Sequence, residues 1–288
     1  RMRFYVGAIR RCEAKYNLFP EIKHFCLAPT LTPYAPQGAK ILLDSGAYGD
    51  VRRGRFTFNQ GLERQLAFET KHQFISERIA SYDLLIDEQM REDRRIKSRW
   101  AEKAGWKAVD ETIAAAEFLC ERRESLAPRQ LVLGCQGVNI DQYETCVSAI
   151  QEIANPEDCI GLGGWCIIGQ QRRYLRLFGE TLQRILPLIA AKGHPVHLFG
   201  VTHIPALRHF ALKCRDIGIL ASVDSARFSY EPSRGFLFDE STGKSYRYMG
   251  KQHTWEKIKE NIIAGHRFIS RIEEWKPMQL DLFEGGPE

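Results

Sequence analysis

Eight short apolar runs recur along this chain, each followed by a turn and then, in most cases, by a longer amphipathic stretch. The runs are Phe4–Ala8, Phe25–Ala28, Ile41–Asp44, Leu84–Asp87, Leu131–Cys135, Ile160–Gly164, Val196–Val201 and Leu220–Asp224. They are four to six residues long and apolar at most positions, the signature of strands buried on both faces in a parallel sheet. Between them, Leu62–Ala80, Val109–Arg123, Asp141–Ala154, Arg172–Lys192 and Pro205–Asp216 place apolar residues at helical spacing. Asn155-Pro156, Gly193-His194-Pro195 and Gly218 supply stops. Eight strands alternating with helices predict an α/β fold, a (β/α)₈ TIM barrel, and 288 residues suffice to build one. A doubly wound open sheet is the alternative. Residues 235–248 predict a hairpin turning at Ser241–Gly243, and Thr254–Ile272 a final helix on the barrel's outside. The expected division is a barrel domain over 1–276 and a polar tail over 277–288.

Composition removes several classes. With 44% hydrophobic and 27% charged residues the chain is an ordinary globular one. No apolar run approaches the roughly 18 residues needed to cross a bilayer, so no membrane partner is expected. The start, Arg1-Met2-Arg3-Phe4-Tyr5-Val6, reads as a strand rather than a secretory leader. A net charge of +5 permits a polyanionic partner without requiring one. Eight cysteines lie scattered with no C-x-x-C pair, which predicts reduced thiols in a cytoplasmic protein, several of them core residues, and no metal site.

The chemistry gathers where the predicted strands end. The ends read Asp44-Ser45-Gly46-Ala47-Tyr48, Asp87-Glu88, Gln136-Gly137, Gly161-Leu162-Gly163-Gly164, Phe199-Gly200 and Asp224-Ser225-Ala226-Arg227. In a parallel barrel these ends converge on one face, where active sites are built. Aspartate and glutamine can read a heterocyclic base edge by paired hydrogen bonds. Glycines admit a flat ligand to the backbone, and Tyr48 and Phe199 can sandwich a ring. Two further carboxylates suit nucleophile and general acid/base at a sugar carbon. Each feature also has a plain structural use: a strand-end aspartate caps helices, a glycine makes a tight turn, and an aromatic fills a core.

The ordered set resembles the tRNA-guanine transglycosylase superfamily, which exchanges guanine for a 7-deazaguanine in nucleic acid. Asp44-Ser45-Gly46-Ala47-Tyr48 is similar to the family's D-S-G-G-[FY] motif, Leu85-Ile86-Asp87-Glu88 to its F-D-E segment and Gln136-Gly137 to V-Q-G. Gly161-Leu162-Gly163-Gly164 resembles G-L-A-V-G, His197-Leu198-Phe199-Gly200-Val201 resembles Y-L-M-G-V, and Val223-Asp224-Ser225 falls where the family has F-D-C/S. The resemblance implies Asp224 as nucleophile at C1′ and Asp44 as general acid/base. It implies Asp87, Gln136 and the backbone at Gly161 and Leu162 as readers of the base, Tyr48 and Phe199 as stacking groups, and Ser45 and Gly200 beside them. No cofactor is implied.

Departures narrow the branch. The tRNA enzymes carry a C-x-C-x-x-C…H zinc site near the C-terminus, whereas here only Cys214 follows Cys166. The stretch Val223-Asp224-Ser225-Ala226-Arg227-Phe228-Ser229-Tyr230 is more like the compact DNA-modifying branch, the DpdA-type 7-deazaguanine transglycosylases. That branch inserts a preQ0-like base into DNA. The expectation is therefore a DNA guanine transglycosylase, with a tRNA-guanine transglycosylase or a catalytically silent DNA-binding subunit as alternatives. Arg52, Arg53, Arg94, Arg95, Arg99 and Arg227 are the candidate phosphate contacts, in loops leaving the catalytic face. The hairpin basic residues Lys244, Arg247 and Lys251 are a further candidate, and a solvated helix with paired charges is the alternative for the Arg91–Lys103 cluster. In the tail, Gln279-Leu280-Asp281-Leu282-Phe283 resembles the peptide by which bacterial proteins dock on the replicative sliding clamp, with Gln279, Leu280, Leu282 and Phe283 as its contacts. The alternative is a tail folding its Leu and Phe back on the barrel.

Overall fold

Strands of three to six residues can bury both faces only when a helix layer covers one side and the sheet closes on itself over the other. The computed structural model, which describes residues 2–7, 21–29, 38–50, 56–84, 99–165, 172–248 and 255–275, has this arrangement. The strands are β1 (Arg3–Gly7), β2 (His24–Leu27), β3 (Lys40–Leu43), β4 (Arg78–Ala80), β5 (Gln130–Cys135), β6 (Cys159–Leu162), β7 (Val196–Leu198) and β8 (Ala221–Ser225). All are parallel and follow in sequence order, and β1 closes the barrel on β8 with Phe4 opposite Val223 and Tyr5 opposite Asp224. The predicted TIM barrel is the observed fold.

The two-residue period of the strands sorts their side chains. Facing outward, Phe4, Val6, Leu27, Ile79, Leu133, Ile160, Leu162, Leu198 and Val223 join the helices in one large apolar cluster. Facing inward, Tyr5, Cys26, Leu42, Ala80, Val132 and Cys159 form a second, small cluster with Phe199 packed against it. The core is thus a ring between sheet and helices plus a plug inside the barrel. Of the cysteines, Cys26, Cys135, Cys146, Cys159 and Cys214 are buried and free, in line with their reading as small core residues.

The helices are α1 (Phe58–His72), α2 (Arg99–Cys120), α3 (Ile140–Ile153), α4 (Arg172–Lys192) and α5 (Ile204–Asp216). Local sequence explains their starts. Thr57 and Gln60 form a reciprocal capping box on α1, and Asn139 accepts the Gln142 N–H at 2.9 Å to cap α3. Pro205 occupies the first turn of α5, where its missing N–H costs nothing. After β8 come a helical turn Arg227–Tyr230, the hairpin β9 (Phe236–Asp239) and β10 (Lys244–Arg247), and α6 (Trp255–Ser270). The hairpin register pairs Asp239 with Lys244, as the turn residues predict. Among the described residues, no helix is long and apolar enough to cross a membrane.

Strand four corrects the sequence reading. The helix predicted over Leu62–Ala80 stops at His72, where Gln73 adopts a left-handed conformation (φ 55°) and returns its N–H to Glu69 and Thr70. The chain then pairs Arg78-Ile79-Ala80 between β3 and β5. The expected strand Leu84–Asp87 begins only after β4 has ended, and its residues from 85 onward lie outside the described residues. The buried Glu69 carboxylate grips Arg129 Nε through both oxygens at 3.0 Å and accepts from Ser76 N at 2.9 Å, fixing this junction.

Candidate active site

Among the described residues, three carboxylates stand at the C-terminal mouth of the barrel. Asp44 follows β3, Asp83 follows β4, and Asp224 lies near the end of β8. Asp44 is anchored by its backbone N–H to the Leu27 carbonyl at 2.9 Å, and its Oδ2 accepts the Gly46 N–H at 3.2 Å. Gly46 has φ 78°, a conformation that lets the chain double back at the strand end without steric cost. Burial pushes the Asp44 carboxyl up, and the charges of Asp224 and then Asp83 push it further. The bonds from the Gly46 and Ser45 backbone oppose this only in part, so its pKa settles at about 7.

Asp224 is held differently. Its Oδ1 accepts the Gly200 N–H at 2.9 Å and contacts His197 Nε2 at 3.1 Å. Burial pushes the nearby Cys26 thiol up, and the Asp224 charge pushes it further. The Asp224 side chain is 14% exposed, so it sits at the floor of the mouth rather than in solvent. Gly200 adopts φ 63° as the chain leaves β7, which aims its N–H at the carboxylate.

Asp83 escaped the sequence reading. A Cβ on Gly134 would lie 3.5 Å from Asp83 Oδ2, and one on Gly163 would lie 3.8 Å away. Glycines at these two positions keep side chains from crowding that carboxylate. The mismatched strand four is why it was missed: among the described residues the carboxylate after β4 is Asp83, and Asp87 lies outside them.

The remaining candidates divide. Phe199 is half-buried inside the barrel, edge-on to His197 at 4.6 Å, and its ring lies where a Cβ on Gly161 would be. Gly161 therefore makes room for Phe199. The Leu162 side chain is buried among the helices, and its carbonyl accepts the Phe199 N–H at 3.0 Å, so that group is occupied within the barrel. Ser45 is buried, with its hydroxyl on the Ala47 N–H at 3.3 Å and its carbonyl on Arg64 at 2.6 Å. Gln136 is fully buried, and its amide donates to Thr112 Oγ1 at 2.7 Å and to the Leu84 carbonyl. That ties the strand end to α2, and Gln136 Oε1 is left without a partner. Past the last paired residue of β5 the two-residue alternation lapses, which is why position in the strand mispredicts its direction.

Arg227 is engaged within the fold. Its guanidinium donates to Glu231 at 2.7 Å, the Thr202 carbonyl at 2.7 Å and Ser245 at 2.8 Å. It clamps the β7 exit to the hairpin. Arg99 begins α2 instead of lying in a loop, and Tyr48 falls in the helical turn Ala47–Asp50 directly after β3. The side chains of Arg99 and Tyr48 lie outside the described residues, as do Arg52, Arg53, Arg94, Arg95 and the tail residues Gln279, Leu280, Leu282 and Phe283. Lys244 and Arg247 are exposed on the hairpin. Among the described residues, no group of three His, Cys, Asp or Glu side chains is placed to hold a metal.

Two carboxylates in electrostatic contact, one held by the Gly200 N–H and against His197 and one titrating near neutrality, can perform displacement at a sugar carbon. No protein-family model matches the sequence, and no curated protein is significantly similar to it.

Proposed function

We propose that this chain is a glycosyltransferase that exchanges guanine in DNA for a 7-deazaguanine, preQ0-like, base through a covalent aspartyl-glycosyl intermediate. The observation that carries the reading is the pairing of Asp44, titrating at about 7, with the oriented Asp224 at one barrel mouth. The ordered motifs that resemble the tRNA-guanine transglycosylase superfamily supply the reaction type.

In this reading Asp224 Oδ2 attacks C1′ of the target nucleotide and the glycosidic C1′–N bond breaks. The electron pair leaves with the guanine ring nitrogen, which takes a proton from Asp44. The incoming base then gives its ring N–H proton to Asp44, its nitrogen attacks C1′, and Asp224 departs as a carboxylate. A general acid/base serves both directions best when its pKa lies near the working pH, which burial and the Asp224 charge arrange for Asp44. Asp83, beside Gly134 and Gly163, is placed to read the base, the role that the resemblance implies for Asp87. The target nucleotide must be unpaired or flipped from the stack to reach the barrel floor.

The test is incorporation of labelled guanine into DNA and tRNA side by side, with Asp224→Ala and Asp83→Ala. Incorporation into DNA, abolished in Asp224→Ala and strongly impaired in Asp83→Ala, is the expected result. Incorporation into tRNA alone moves the chain to the tRNA branch, and undiminished turnover in Asp224→Ala removes Asp224 as nucleophile.

A further inference from the structure

Four polar side chains form a line inside the barrel, ending at Asp224. Arg78 Nη1 lies 2.8 Å from Ser222 Oγ, Ser222 Oγ lies 2.9 Å from His197 Nδ1, and His197 Nε2 lies 3.1 Å from Asp224 Oδ1. Register explains the line: His197 and Ser222 are paired across β7 and β8, and Asp224 is two residues further along the same inward face. His197, Ser222 and Arg78 are all buried, so water cannot rearrange these bonds.

The donor inventory fixes their direction. Arginine only donates, so Ser222 Oγ accepts from Arg78. The single Ser222 hydroxyl hydrogen then has two acceptors in reach, His197 Nδ1 at 2.9 Å and the Val196 carbonyl at 3.3 Å. If it points to Val196, Nδ1 must carry the ring proton, and a bare Nε2 lone pair then faces a carboxylate. If it points to Nδ1, the nearer acceptor, Nε2 carries the proton and donates to Asp224, so all three contacts of the line become bonds and only the longer Val196 contact is given up. We propose that His197 is a positioning residue for Asp224, held by Arg78 and Ser222 in the neutral Nε2–H tautomer that donates to Oδ1. The proposal rests on the reading of Asp224 as nucleophile. Burial lowers the imidazole's affinity for a second proton and Arg78 adds to that, although Asp224 opposes both.

Together with the Gly200 N–H, this donor turns Oδ2 toward the mouth for attack. It also stabilises the carboxylate when the ester is broken, and it makes no contact with either base. The other ionisable groups around the pair are Tyr5 on β1, Cys26 on β2, Asp44 after β3, and Arg78 and Asp83 on and after β4.

Histidine ¹⁵N NMR on the whole protein, with His197→Gln to assign the signal, reads the tautomer independently of turnover. The expected result is a neutral Nε2–H ring at pH 7 to 8 that loses this preference in Ser222→Ala. An Nδ1–H ring or an imidazolium overturns the proposal. In the exchange assay, His197→Phe should lower kcat by about 10- to 100-fold with little change in KM. The acid limb of its pH profile should move to higher pH, and His197→Gln, which can still donate, should restore much of the rate. Should His197→Phe fail to fold, Ser222→Ala carries the same test with a smaller loss. A wild-type pH profile in both variants, or equal losses in Phe and Gln, overturns the relay. Asp224→Asn separates the two ideas: if it retains exchange the nucleophile assignment falls, and if it is dead while His197→Phe matches wild type only the relay falls.

Discussion

Asp44 shows how a single side chain trades stability for chemistry. Its ordinary pKa of 3.8 is raised to about 7 by burial and by the charges of Asp224 and Asp83. The native state therefore binds more protons than the unfolded chain between these values, and stability falls as pH rises through that window. Above about pH 7 the full penalty applies, bounded near 4 kcal/mol by a shift of about three units. Asp44→Asn keeps an acceptor for the Gly46 N–H and removes the charge. It should leave stability unchanged near pH 4 and raise it by about 1–3 kcal/mol at pH 8, measured by urea unfolding at both values. A variant equally stable or less stable at pH 8 contradicts the burial argument. Asp44 and Asp224 were legible in the sequence because each ends a clear apolar run. Asp83 was not, because Leu84-Leu85-Ile86 just after it is more apolar than the true strand Arg78-Ile79-Ala80. The direction of the Gln136 side chain was also beyond reach, since it depends on Thr112, twenty-four residues away.

At the level of elements, spacing found seven of the eight strands within a few residues and misplaced one. Fully apolar runs flanked by turns mark strands well. A three-residue strand that opens with a buried arginine does not, and the helical periodicity read over Leu62–Ala80 runs through it although Gln73 has already broken the helix. The last helix illustrates what spacing cannot see. Gly265 on α6 reads as a flaw in an amphipathic pattern, and alanine is favoured there by about 1 kcal/mol on propensity alone. Yet its missing Cβ is where the Phe228 ring lies, and that ring is itself fixed edge-on against Phe4 at 6.0 Å and Phe238 at 4.8 Å. Overpacking of this kind costs about 1–3 kcal/mol, more where neighbours cannot yield. Gly265→Ala should therefore destabilise by about 1–2 kcal/mol net, lowering Tm by several degrees. A raised Tm shows that α6 can slide and that propensity decides.

For the molecule as a whole, the question is where the cooperative unit ends. β1 closes the barrel on β8, and its outward residues need a cover that precedes no strand of their own. That cover is α6 with the Arg227–Tyr230 turn. Asn261 donates to the Phe228 carbonyl at 2.8 Å and accepts from the Phe238 N–H, joining helix, turn and hairpin. Beyond α6, Arg208 of α5 still holds the Trp275 carbonyl at 2.6 Å, and Glu273 accepts the Met2 N–H at 3.3 Å. Residues up to Trp275 are thus tied to both ends of the barrel chain. Ile258, Ile262, Phe268, Ile269 and Ile272 are buried by this cover. At about 1.5–3 kcal/mol for each such side chain, their burial is of order 10 kcal/mol. That equals the whole net stability of an ordinary domain, about 5–15 kcal/mol. Ending the chain at residue 254 should consequently abolish cooperative unfolding, leaving a barrel that cannot hold β1. Ending it at 276, which removes only the tail and its clamp-like peptide, should leave Tm within about 2 °C of the full chain. Circular-dichroism melts of the two truncations decide the matter. A sharp transition in the shorter one means the barrel closes without α6, and a large loss in the longer one means the tail packs on the fold, which would remove it as a freely presented docking peptide.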